Sequence, residues 1–414
     1  MKQPTKSLLS LILIFILCEV CTAFAQDWTQ WRGPNRDGKL LNFTVPESWP
    51  ESLEKRWSID IGGGTSVPLR QGKTVYIHSR KGENEVVSAL NLENGKMQWK
   101  DSYTAPYKVT PEAVDFGKGP FATPVIYDGK LFTFGIGEIL SAYNSSDGKL
   151  LWRKDYAKDY KMPHAYYGTS FSPLAADGVL IVHAGGPENG ALMALDINNG
   201  EPKWKWEGDG PAYASPLLAE VHGIRQIITK TQQNIIGVDF ENGKLLWKVP
   251  YKVSYDNTIS EPIVWNDLVL ASDFQKHFRT YRLKKDGENW STEIVWENKN
   301  ASLYMSSPIL RDNLLYGFSD RSKGQFFCLN PQNGEVLWSG PGRQGDHASL
   351  VAYRDYLFGL LENGELVISK VTPKGQAVIA KYTVSQSNIY NTPVFVENGV
   401  LIKDFERLTL WGWD

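Results

Sequence analysis

Short apolar runs, each closed by Gly, Asn or Asp, follow one another along almost the whole chain. That is the pattern of strands joined by turns. The stretch FENGKLLWK, residues 240–248, is one instance, and nearly the same phrase keeps returning. ALNLENGKMQW ends at Trp99, AYNSSDGKLLW at Trp152, ALDINNGEPKW at Trp204, GVDFENGKLLW at Trp247 and CLNPQNGEVLW at Trp338. The register holds without gaps: a small residue, an apolar one, Asn or Asp, a polar step, Asn-Gly or Asp-Gly, and a short run closing on Trp. Asn-Gly and Asp-Gly supply the positive φ of a tight hairpin, so each phrase predicts two adjacent antiparallel strands. RLKKDGENWSTEIVW, ending at Trp296, reads as the same unit with an enlarged turn.

A second phrase follows each Trp: SVPLRQGKTVYI around Pro68, ATPVIYDGKLFTF around Pro124, SPLAADGVLIV around Pro173, and its counterparts around Pro216, Pro262, Pro308 and Pro393. ASLVAYRDYLFGL, from Ala348, fits the frame without the proline. The two phrases together predict four antiparallel strands per repeat of roughly 42 to 53 residues, the mark of a propeller blade. The count comes to about eight blades. Trp57, in EKRWSID, precedes Pro68 by the interval that separates Trp204 from Pro216, so Lys55 to Asp60 is predicted to be an outermost strand. The other three strands of its blade are then TPVF, GVLIKDF and RLTLWGW at the C-terminus. One blade is shared between the chain ends, which closes the ring and leaves no open edge there.

Ahead of the repeats, residues 1–26 carry Lys2 and Lys6, an apolar run from Leu8 to Val20, and Ala23-Phe24-Ala25. This predicts a signal peptide, with a mature start at Gln26 or Asp27 and a periplasmic or secreted product. Leu17 and Val20, before Cys18 and Cys21, are too large for the usual lipid-anchor cleavage site. The expected organisation is signal peptide 1–26, a segment 27–53 packing on the propeller, and an all-β eight-bladed propeller over 54–414.

With the signal removed, Cys328 is the sole cysteine, so the core and not a disulfide must hold the fold. Cys328 occupies the slot of Ala89, Ala142, Ala194 and Gly237, which predicts a buried thiol acting as a small hydrophobe. A net charge of -2 argues against a nucleic-acid surface or an anionic membrane surface.

The small-Leu-Asp-x-x-x-Gly-x-x-x-Trp phrase with a following Ser-Pro strand resembles the pyrroloquinoline quinone (PQQ) repeat. That is the tryptophan-docked propeller family of quinoprotein alcohol dehydrogenases and of BamB-like assembly factors. The resemblance covers nearly all of the mature chain, and WTQWRGPNRDG, from Trp28 to Gly38, is similar to the N-terminal segment of exported members. Trp28, Trp31 and Arg32 are placed to cap one face of the ring. For the quinoprotein branch, the resemblance implies PQQ and Ca2+ as cofactors. The sequence departs from that branch in having no adjacent Cys-Cys pair and no motif matching its Glu, Asn and Asp calcium ligands.

A propeller's ligands meet its central channel and the loops at one mouth. Ser66, Thr123, Ser172, Ser215, Glu261, Ser307, Ser349 and Thr392 begin the innermost strands and should ring the axis. Glu261 stands where its siblings carry hydroxyls, either as a ligand for a cation or substrate hydroxyl or as a solvated acid bonded to backbone amides. Phe121, Tyr166, Tyr167, Tyr213, Tyr304 and Tyr390 gather just upstream, able to stack a sugar or planar cofactor, or to pack loops onto blades. Lys108 and Lys118, His164 in KMPHAYYG, and Arg343, Asp346 and His347 in GRQGDHAS lie in the same class of loop. No P-loop, HExxH or GxSxG motif is present.

These features predict a monomeric binding or scaffold module of the bacterial envelope that presents one mouth to a protein, peptide or glycan. A PQQ- and calcium-dependent oxidoreductase acting on an alcohol or sugar is the alternative. It would use Glu261 for the metal, Asp346 near the chemistry, and Tyr213, Tyr304, Tyr390, Arg343 and Lys118 for the cofactor. A carbohydrate-active hydrolase or lyase, with His164, Tyr213 or His347 in acid-base roles, is a further one.

Overall fold

The computed structural model describes residues 26–160, 166–186, 189–253, 258–274 and 276–413, so residues 1–25 of the predicted signal peptide and His164 lie outside the described residues. Eight four-stranded antiparallel sheets form the predicted propeller. The blades span 69–104, 125–155, 174–206, 217–250, 263–302, 309–339 and 348–383, and the eighth joins 394–412 to Glu54–Asp60. Closure follows the sequence reading: Glu54–Asp60 pairs with Arg407–Gly412 as the outermost strand.

The repeat phrase has two physical components. The first is its loop, which is longer than the predicted tight turn. Asn91 Oδ1 accepts from the backbone N–H of Glu93 (2.9 Å) and Asn94 (3.2 Å), and Asn94 Oδ1 accepts from that of Lys96 (3.0 Å). Asp239 and Asn242 repeat the arrangement in the fourth blade. Side-chain carboxyls and amides thus shape a loop of several residues. The two-residue turns with positive φ throughout belong to the second phrase, as at Asp128 (49°) with Gly129 (69°) and Asp177 (47°) with Gly178 (74°).

The second component is the Trp, which docks on the next blade. Trp57, Trp99, Trp152, Trp204, Trp296 and Trp338 donate their indole N–H to the carbonyls of Leu92, Ser145, Ile197, Phe240, Pro331 and Thr372, at 2.8 to 3.1 Å. The turn glycine makes room for the ring. A Cβ on Gly148 (φ +73°) would stand 2.4 Å from Trp99. Gly148→Ala is therefore expected to lower the unfolding free energy by on the order of 2 kcal/mol in denaturant titration, through strain and overpacking together.

Trp247 breaks the series and bonds within its own blade, to Gln226 Oε1 at 2.7 Å. The next blade has no docking loop in the usual place. Where an enlarged turn was expected, it instead extends its last two strands to Lys276–Asp286 and Asn289–Ser302. Cys328 is fully buried, as the repeat slot requires. Burial pushes its thiol up to about 11.

Lys403, in the eighth blade, is fully buried and donates to the carbonyls of Gly64, Asp404 and Phe405, joining the two sides of the closure. Burial pushes its amine from 10.5 down to about 7. The folded state thus disfavours a proton that the unfolded chain keeps, so stability rises with pH between these two values. Lys403→Met is expected to flatten that rise in unfolding free energies measured from pH 7 to 10.5.

Candidate functional site

The segment after Gln26 crosses the ring at the level of the inner strands. Trp28, fully buried, exchanges backbone hydrogen bonds with Arg70 of the first blade, at 2.8 and 2.9 Å. Leu40 N–H donates to Ala352 O of the seventh blade at 2.8 Å. Between these ties, Arg32 donates to Pro308 O of the sixth blade at 2.6 Å. Arg36 donates to Pro173 O at 3.0 Å and Ser172 O at 3.2 Å in the third. Phe43 then wedges edge-on among Tyr353, Phe358, Phe395 and Trp413. This plug stops one end of the channel.

Glu261 anchors it. Its Oε1 accepts from Trp31 Nε1 and its Oε2 from Ser307 Oγ, while Arg32 Nη1 stands 4.0 Å from Oε2. The carboxylate is 8% exposed, so it is neither a solvated acid nor one held by backbone amides, as one reading of the sequence had it. Burial holds both guanidinium groups below the ordinary arginine value, with Glu261 opposing the shift, and Arg36 falls to about 9. The carboxylate is placed where its siblings carry hydroxyls because two arginines must be buried beside it.

Above Trp31 and Glu261 a funnel opens at the other end. Its wall shows why hydroxyls begin the inner strands. Three of them accept a backbone N–H from the blade before: Val67 N–H to Thr123 Oγ1 at 3.1 Å, Thr123 N–H to Ser172 Oγ at 3.0 Å, and Ser172 N–H to Ser215 Oγ at 3.1 Å. Ser172, Ser215, Glu261 and Ser307 line the funnel; Ser66, Thr123, Ser349 and Thr392 do not.

Of the predicted aromatics, Phe121, Tyr167, Tyr213, Tyr304 and Tyr390 line the funnel, while Tyr166 lies exposed outside it, edge-on to Tyr167. Tyr213 Oη accepts from Tyr167 N–H at 3.0 Å. Burial pushes the Tyr304 hydroxyl up to about 12. His347 stacks on Tyr390, with centroids 5.0 Å apart and planes 18° apart. Its Nε2 lies 3.1 Å from Ile389 O and its Nδ1 3.1 Å from Glu362 Oε2, and this contact holds the Glu362 carboxyl below its usual range.

The remaining predicted residues lie elsewhere. Lys118 is exposed and pairs with Glu83 at 2.7 Å; Lys108, Arg343 and Asp346 are exposed and outside the funnel lining. The sequence reading overlooked Thr65, Phe116, Ser170, Ile259, Ser260 and Met305. Phe116 ends a 3-10 helix inside the long stretch after Trp99, where the search for aromatics upstream of inner strands would have found it.

A quinone with three carboxylates needs cations and a metal needs clustered ligands. The described lining contains no Lys or Arg, and no group of three or more His, Cys, Asp or Glu among the described residues is placed to hold a metal. Glu261 is the single carboxylate of the described lining. The funnel as built does not fit PQQ with calcium.

Comparison with known proteins places the fold. The chain is 23% identical over 381 residues to the outer membrane protein assembly factor BamB of Yersinia pestis, covering 85% of this chain and 86% of that one. It is 28% identical over 163 residues to the quinoprotein alcohol dehydrogenase PedH of Pseudomonas putida, covering 37% and 25% of the two chains. The crystal structure of BamB from Moraxella catarrhalis superposes with a TM-score of 0.61 at 16% identity, over 87% of this chain and 99% of that one. A quinohemoprotein alcohol dehydrogenase from Pseudomonas putida superposes at 0.64 and 12% identity, over 94% and 80%. The family model for outer membrane protein assembly factor BamB matches residues 83–340, more than half of the chain. This chain belongs to the BamB family of outer membrane protein assembly factors.

Proposed function

We propose that the chain is a non-catalytic binding propeller of the bacterial envelope, which uses the open funnel to hold part of a partner. One observation carries this reading. The acid and the base that line the funnel, Glu261 and His347, are both engaged by other protein groups, and what faces a ligand is mainly aromatic rings and hydroxyls. That lining binds without supplying an acid, base or nucleophile. The family match supports the envelope setting, since the relatives are named for outer membrane assembly.

Calorimetric titration of the folded protein with PQQ, with and without calcium, is expected to give flat heats. Saturable binding that depends on funnel residues would replace this reading with the oxidoreductase. A photo-crosslinking side chain at Tyr304 is expected to capture an envelope macromolecule in cells. No capture from Tyr304, with capture from a crosslinker placed on the plugged face, would put the working surface elsewhere.

A further inference from the structure

We infer that the funnel takes a sugar ring, the uncharged end of a glycan. The inference rests on reading the funnel as a binding site and names its occupant. Three hydroxyls on consecutive blades point to it. Ser172 Oγ and Ser215 Oγ each accept a backbone N–H, so each keeps its own hydrogen, and neither donates to any described residue. Ser260, 1% exposed and also in the funnel lining, has an Oγ bonded to no described group. Buried hydroxyls without partners are costly, and a ligand that supplies acceptors relieves the cost.

Beside this arc, Glu261 offers acceptor capacity. A carboxylate has about four lone-pair sites, and Trp31 and Ser307 use two of them. The opposite requirement comes from the half-buried rings of Tyr167, Tyr304 and Tyr390 in the lining, which call for a flat apolar face. A pyranose meets both demands, with C–H groups on its face and alternating donors and acceptors around its edge. An aromatic peptide side chain would satisfy the rings and leave the hydroxyl arc unpaired. An anionic ligand would be desolvated with no lining Lys or Arg to receive it.

The test is calorimetry of the full mature protein against a panel of neutral and N-acetylated oligosaccharides, with a tyrosine-rich peptide and a uronate oligomer as comparators. Saturable binding of at least one neutral or N-acetylated member is expected. Ser260→Ala loses only an unpartnered hydroxyl, so it should keep the melting temperature and weaken that binding about five- to tenfold. Tyr390→Ala should weaken it by about tenfold or more. Binding of the peptide or uronate alone, or sugar binding untouched by Ser260→Ala, overturns the proposal. If no sugar binds but Tyr304 still crosslinks a protein, the proposal falls and the binding reading stands. If a sugar binds and is cleaved, the non-catalytic reading falls and the sugar site stands.

Discussion

Deleting Glu54–Asp60 is expected to abolish the single cooperative unfolding transition, or to lower its midpoint drastically. Six residue pairs tie this strand to Arg407–Gly412. Trp57, which it carries, docks on the first blade at Leu92 O, 2.9 Å away. The ladder and the docking together are worth about 5 kcal/mol or more at roughly 1 kcal/mol per hydrogen bond plus the buried apolar surface. That is comparable with the whole stability of an ordinary domain. The loss also exposes a sheet edge open to pairing with other chains. Thermal unfolding, with light scattering alongside, reads both effects. An unchanged midpoint would mean that the ring is closed elsewhere.

Glu261→Ala should produce the next largest effect, because it leaves two buried guanidinium groups without their carboxylate. Removing one member of a buried charged pair costs roughly 3–5 kcal/mol. Arg32 keeps Pro308 O and Arg36 keeps Pro173 O, so the plug is expected to loosen before the blades do. Limited trypsin digestion should then cut after Arg32 and Arg36, which are 8% and 6% exposed in the native protein. Combining Glu261→Ala with Arg32→Met should recover part of the loss, since one of the two stranded charges is then gone. Wild-type protease resistance in Glu261→Ala would show that backbone pairing alone seats the plug.

How much of this was legible beforehand differs from residue to residue. The closing strand was readable because Trp57 keeps its distance from Pro68, and repeat spacing is a property of sequence. The docking role of the tryptophans was implicit in the repeat. Its failure at Trp247 was not, because it depends on what the following blade offers, and that blade spends its residues on longer strands. Glu261 stands out in the sequence as the odd member of its ring of positions, but its partners come from residues 230 and 46 positions away. Lys118 and Arg343 looked like ligand-binding cations by loop class, and the fold turns them to solvent.

The chain's periodic grammar by itself determined the architecture, since a recurring small residue, Asx loop and Trp each satisfy a local or next-neighbour demand that repeats from blade to blade. The site was decided by the tertiary structure alone. Closing the ring brings together side chains from blades that share no sequence proximity, and burying Arg32 and Arg36 in the channel converts a lone glutamate into the anchor of its floor. Local patterns encode contacts that recur, whereas convergence at an axis depends on every blade at once.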